Sequence, residues 1–245
     1  VVGYAGYDAL THYLPPEQYA AWFFREKLTE ALMEDATLRG HGPDGKLLVV
    51  TEEENGCFLL QKLLISCQQH DSVSFLAFSE ALEKRLSLIF REMAQLDPRW
   101  EKPWTEVKLL LNPNGPWLNG GSDGDNGQTG RKLVMDYYGP RIPIGGGALY
   151  GKDLSHIDRL GAFQARRWAI QQVQGGASEC LIKVAFAPGM EEPLAVECAT
   201  PLPKTLDPYS VFSFTNMRAQ IQTSDLEYSL AALGTFYNDT LTFNA

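Results

Sequence analysis

Glycines, single carboxylates and paired cations crowd one stretch of this chain, Gly120 to Arg167, in an otherwise acidic protein. From residue 131 to residue 167, Arg131, Lys132, Arg141, Lys152, Arg159, Arg166 and Arg167 face only Asp136, Asp153 and Asp158, a local charge of +4. The remaining sequence has 14 basic and 27 acidic residues and stands at −13. A confined positive field within a negative protein suits a small polyanion. A nucleic-acid binder carries its excess positive charge over a whole face, so no nucleic-acid partner is expected. The chemistry this stretch offers is phosphate binding.

Two motifs carry that reading. In GGGALYGKD (145–153), consecutive glycines let the backbone approach a ligand and aim N–H groups at anionic oxygens, and Lys152 follows the first glycine by seven positions. The spacing is not that of GxxxxGK[ST], because Asp153 stands where a hydroxyl is needed. Taken alone, the motif reads equally well as a flexible loop. GDNGQTGRK (124–132) couples a carboxylate and a tight turn to paired cations, which could grip a sugar hydroxyl and a phosphate chain or form a solvated loop. Asp158-Arg159 opens a helical stretch, where a carboxylate is favourable in any protein.

The elements that must position these residues read as strands and helices in alternation. Pro15-Pro16 opens a helix over 17–34 with Tyr19, Trp22, Phe23, Leu28 and Leu32 on one side. Residues 46–50 and 58–67 read as strands joined at Asn55-Gly56, a hairpin signal. A second helix runs from about residue 72–74 to Leu96, with Phe75, Phe78, Leu82, Leu86, Ile89 and Met93 at helical spacing, and Asp97-Pro98 stops it. A strand at 106–111 leads into the glycine-rich region. A third helix spans 156–174, ended by Gly175-Gly176, and strands at 180–187 and 194–199 flank PGMEEP. The remaining C-terminal part is aromatic and less legible. The class is α+β, with helices covering one face of antiparallel or mixed sheets.

At 245 residues and 44% hydrophobic content, the chain can bury one large core or two smaller ones. No apolar run approaches the roughly 20 residues that cross a bilayer, and VVGYAGYDAL lacks the pattern of a secretory signal. A cytoplasmic protein without a membrane partner is expected. Cys57, Cys67, Cys180 and Cys198 form no CxxC pair and the four histidines are scattered, which argues against a zinc site or a disulfide framework. Reduced thiols are the expectation.

NPNGPWLNGGSDGDNGQTGRKLVMDYYG (112–139) followed by GGGALYGKDLSHIDR (145–159) closely resembles the signature region of the S-adenosylmethionine synthetase (methionine adenosyltransferase) family. GYAGYD (3–8), GPDGK (42–46), CLIKVAFAPGMEEP (180–193) and YSLAALGTFY (228–237) extend the resemblance along the chain. It implies that family's α+β fold, here an incomplete pseudo-threefold set: a first α+β domain at 1–120, a strip of central domain at 121–160, and a C-terminal α+β domain at 161–245. It implies formation of S-adenosylmethionine, phosphate and diphosphate from ATP and L-methionine, with Mg2+ and K+. Carried over position by position, Asp44 and Lys46 would contact the nucleotide, Lys46 at its phosphates, and Trp117 would stack on adenine. Asp125 would meet the ribose and the methionine amino group, and the Ala148 backbone would lie near the adenosine. Arg131, Lys132 and Lys152 would hold the triphosphate, and Asp158 would bind magnesium.

The sequence also departs from the family. The GHPDK segment, which supplies a histidine, a metal-binding aspartate and a potassium-site glutamate, is not found here, and neither is GDQG. His156 stands in place of the family's methionine-site lysine, and Pro116 in place of an arginine. Three explanations follow: one subunit of a split enzyme completed by a second polypeptide, a non-catalytic scaffold or regulatory partner of a synthetase, or a fragment of a longer chain. Retention of Asp44, Lys46, Asp125, Arg131, Lys132, Lys152 and Asp158 favours a catalytic subunit, inactive alone. The family pairs through broad sheet faces, which implies an obligate oligomer.

Overall fold

The computed structural model describes residues 1–35, 37–38, 44–153, 155–199 and 207–221. Gly42 and Pro43 of the GPDGK motif and all of YSLAALGTFY lie outside the described residues. In chain order the first elements are strand β1 (Val2–Gly6), helix α1 (Pro16–Glu34), strands β2 (Gly45–Glu54) and β3 (Cys57–Cys67), helix α2 (Phe75–Leu96) and strand β4 (Lys108–Leu111). Helices α3 (Leu133–Asp136) and α4 (Ile157–Gln174), strands β5 (Glu179–Ala185) and β6 (Ala195–Cys198), and helices α5 (Pro208–Val211) and α6 (Phe214–Ile221) follow. They form two compact units: Pro16–Gly127, and Val1–Pro15 joined to the chain from Gln128 onward.

In the unit Pro16–Gly127 the sheet order is β2-β3-β4. β2 and β3 pair antiparallel from Gly45↔Cys67 to Glu54↔Cys57, with an irregularity between Val50 and Thr51. Asn55 (φ 51°) and Gly56 (φ 80°) turn the hairpin in the left-handed conformation that such two-residue loops require. β4 runs parallel to β3, Lys62↔Lys108 to Ile65↔Leu111, and α2 supplies the long crossover that parallel strands need. Phe58, Leu60, Leu63 and Ile65 bury one face of the sheet. Ser74 caps α2 by accepting the Ala77 N–H at 3.2 Å, and Phe78, Leu82, Leu86, Ile89 and Met93 form its buried stripe. α1 packs on α2 and β2, and buries Phe24 in addition to the expected side.

The second unit holds an antiparallel sheet in the order β1-β5-β6, with α4 packed on β1 and β5. β1 is not evident in the sequence. Gly3 is what admits α4, since a Cβ there would lie 2.2 Å from the Ala165 carbonyl carbon. Arg166 of α4 donates to the carbonyls of Tyr4, His12 and Tyr13, fastening β1 and the left-handed turn after it. The fold is therefore α+β with one antiparallel and one mixed sheet. No helix among the described residues is long and apolar enough to cross a membrane.

Candidate functional site

The expected site residues fall into the two units, and each group is built separately. In the unit Pro16–Gly127, the ends of β2 and β3 carry one group. The Asp44 carboxylate accepts the Gly121 N–H at 3.1 Å, and the Asp44 carbonyl accepts the Gln68 N–H at 3.0 Å. Gln68 Nε2 donates to the Leu118 carbonyl at 2.9 Å, and the Gln69 N–H donates to the Trp117 carbonyl at 2.8 Å. Three of these bonds, to Gly121, Leu118 and Trp117, hold the loop 117–121 against the hairpin. Trp117 Nε1 donates to the Asn119 carbonyl at 2.7 Å, which fixes the indole plane, and Lys46 Nζ lies 5.4 Å from its ring centroid. A half-exposed indole with a mobile cation over it can take an aromatic base and a phosphate together. Asp125 is exposed, and its N–H donates to the Gly121 carbonyl at 2.9 Å.

In the other unit residues 128–132 lie alongside the glycine-rich stretch 145–153. Thr129 Oγ1 donates to the Tyr150 carbonyl at 2.8 Å, and a Cβ on Gly130 would sit 3.2 Å from that of Ala148. Arg131 and Lys132 follow immediately and are exposed. Asp158 stands in the first turn of α4, where the helix dipole favours its charge. Lys152 donates to the Asp158 carboxylate. Gly147 makes room for that carboxylate, because a Cβ on it would meet Asp158 Oδ1 at 2.6 Å. His156 Nδ1 accepts the Asp158 N–H at 3.1 Å, so the imidazole at the family's lysine position acts as a helix cap.

The seven cations of 131–167 do not act as one field. Arg166 is committed to three carbonyls, and Arg159 is buried with Nη1 on the Lys152 carbonyl at 2.7 Å. Arg141 Nη1 donates to the Tyr7 hydroxyl at 2.7 Å, and Arg167 Nη1 to Gln220 Oε1 at 2.9 Å. Arg131 and Lys132 are exposed, and Lys152 is paired with Asp158. The helical spacing of Arg159, Phe163, Arg166 and Ile170 on one stripe was the available signal that two of the arginines lie inside. Sequence reasoning also missed Gln68 and Tyr137. The Tyr137 hydroxyl donates to the Gly147 carbonyl at 3.0 Å, and burial raises its pKa.

Asp158 fits magnesium as a single hard donor, since that ion is commonly held by one or two carboxylates with phosphate oxygens completing its shell. Among the described residues no group of three or more His, Cys, Asp or Glu gathers into a metal cage.

Residues 119–243 match the sequence model of the S-adenosylmethionine synthetase C-terminal domain. S-adenosylmethionine synthase from Paracoccus denitrificans is 37% identical over 202 residues, 81% of this chain and 49% of that protein. The enzyme of the same name from Clostridium botulinum is 34% identical over 190 residues, 77% of this chain and 46% of that protein. The chain thus spans about half the length of the curated relatives it matches. An unusual S-adenosylmethionine synthetase from Campylobacter jejuni shares the fold, with a TM-score of 0.78 at 23% identity, covering 97% of this chain and 65% of that one.

Proposed function

The chain belongs to the S-adenosylmethionine synthetase family, and we propose that it supplies the nucleotide and triphosphate contacts of a methionine adenosyltransferase. In this reading a GHPDK-bearing segment, on a second polypeptide or elsewhere in a longer chain, completes the site, and the assembly is an obligate oligomer formed through sheet faces. The methionine sulfur attacks C5′ of ATP, and the C5′–O bond breaks with its electron pair leaving on the triphosphate, which is then hydrolysed to phosphate and diphosphate. Alignment of sulfur, carbon and leaving oxygen needs no covalent enzyme intermediate. In the unit Pro16–Gly127, Trp117 would stack on adenine, Asp44 and Asp125 would hold the nucleoside and Lys46 would meet phosphate; in the other unit, Arg131, Lys132 and Lys152 would neutralise charge gathering on a triphosphate leaving group. Magnesium, held by Asp158 and the phosphates, would screen that charge further.

The observation that carries the proposal is the glycine-rich cradle itself: Thr129 bonded to Tyr150, with Lys152 and Asp158 gathered over Gly147. The test is reconstitution with a GHPDK-bearing chain. Product should form only in the mixture, and Lys132→Ala with Lys152→Ala should remove about 3 kcal/mol or more of transition-state stabilisation. Unchanged turnover in that double variant sinks the catalytic reading. A stable monomer in the mixture sinks the oligomer.

One observation favours a second reading, a non-catalytic scaffold or regulatory subunit. His156 accepts the Asp158 N–H through Nδ1, so the side chain at the family's methionine-site lysine position serves as the cap of α4. That reading expects nucleotide binding without product in the same mixture.

A further inference from the structure

Far along the chain from the cradle, two thiols lie side by side across adjacent strands. Cys180 is fully buried on β5, the central strand of its sheet, and Cys198 is half-buried on the short edge strand β6. Ile182 pairs with Cys198, and Cys180 lies two residues from Ile182, so all three side chains share one face of the sheet. The two Sγ atoms are 3.6 Å apart. A disulfide bond is about 2.05 Å long, so closure needs an approach of about 1.5 Å. β6 can supply it, because it has four residues and, among the described residues, pairs on one side only. The other two cysteines are no competitors. Cys57 and Cys67 stand at opposite ends of β3, separated by roughly 33 Å of extended strand.

We propose that Cys180 and Cys198 form an oxidisable dithiol that closes to an intramolecular disulfide on encounter with a low-molecular-weight disulfide. Cys198 is the residue such a reagent can reach. Its thiolate attacks one sulfur of the reagent, forming a mixed disulfide and expelling the first small thiolate. The Cys180 sulfur then attacks Cys198 Sγ, forming the internal bond and expelling the second. The two protein thiols lose two electrons and two protons, and the reagent leaves as two molecules of thiol. The product ties the edge strand β6 to the strand on which α4 packs.

The test is incubation of the full chain with oxidised glutathione, followed by intact mass and a non-reduced peptide map. The wild-type protein should lose the mass of two hydrogen atoms, yield one cross-linked peptide pair joining Cys180 to Cys198, and revert with dithiothreitol. Its melting temperature should rise by several degrees on oxidation. Cys180→Ser should instead hold glutathione at Cys198, and Cys198→Ser should take up none at Cys180. The wild-type map decides the matter even where a variant fails to fold. Glutathione that persists on wild-type Cys198, a linkage through Cys57 or Cys67, or a lower melting temperature after oxidation would each overturn the proposal.

Discussion

Lys152 donates to the carboxylate of Asp158, so the cation expected at phosphate and the carboxylate expected at magnesium neutralise each other. Both side chains are about 30% exposed, so water screens the pair and its net worth is modest. A metal–triphosphate complex offers each of them a stronger partner. Removing the lysine charge should therefore act in opposite directions on the two ligands. Lys152→Met should weaken tripolyphosphate binding by about 1–2 kcal/mol while strengthening the binding of Mn2+ alone. Calorimetry reads the first and electron paramagnetic resonance the second. A loss of both would mean that the lysine only maintains the loop.

Trp117 should contribute to nucleotide affinity through its ring. Trp117→Ala should cost about 1–3 kcal/mol in ATP binding, and Trp117→Phe much less. Equilibrium binding of ATP checks both, with tripolyphosphate as the control ligand that neither variant affects. Equal loss for the two ligands would assign the effect to the loop 117–121 instead.

Gly147→Ala places a methyl group 2.5 Å from Asp158 Cγ. Overpacking of this kind costs about 1–3 kcal/mol, and here it should displace the carboxylate from Lys152. Binding of tripolyphosphate with Mn2+ should fall at least tenfold, with the circular dichroism spectrum retained.

Buried and exposed cations of the same basic stretch should separate in denaturant unfolding. Arg166→Met leaves the carbonyls of Tyr4, His12 and Tyr13 without their donor, a loss of about 2–4 kcal/mol. Lys132→Met, at an exposed position, should change stability by no more than about 0.5 kcal/mol.

The approach to α4 should loosen in acid. The Ser155 hydroxyl and N–H both donate to Asp153 Oδ1 and hold its carboxyl below the usual range. A folded pKa below the unfolded one gives stability that is present above the unfolded value and lost as pH falls through the folded value. Hydrogen exchange at Ser155 should therefore quicken as pH drops below about 4, relative to the intrinsic rate. Asp153→Asn should abolish that added dependence.

Where periodicity decides structure, the sequence was legible. The stripe Phe78, Leu82, Leu86, Ile89 and Met93 and the Asn55-Gly56 turn specify α2 and the β2–β3 hairpin from within a few residues. β1 was not, because a five-residue strand with two glycines is stabilised by β5, whose residues follow it by more than 170 positions. The site divided in the same way. Glycines and cations could be found by type, and the loop attachment of Trp117 could not, since Gln68 and Gln69 lie about 50 residues away. Charge alone likewise could not show that Arg159 and Arg166 point inward. Burial of a cation is settled by the carbonyls that receive it.

The pairing of β1 with β5 also sets an order of events for a chain leaving the ribosome. Val2 meets Lys183 only after the whole unit Pro16–Gly127 has been synthesised. That intervening unit can collapse on its own contacts while β1 still waits, and the entropy of closing so long a loop grows only slowly with its length. Until β5 emerges, β1 lacks the strand with which it pairs and keeps open hydrogen-bonding edges. The period of greatest vulnerability to misassembly is the interval between the emergence of β1 and that of β5.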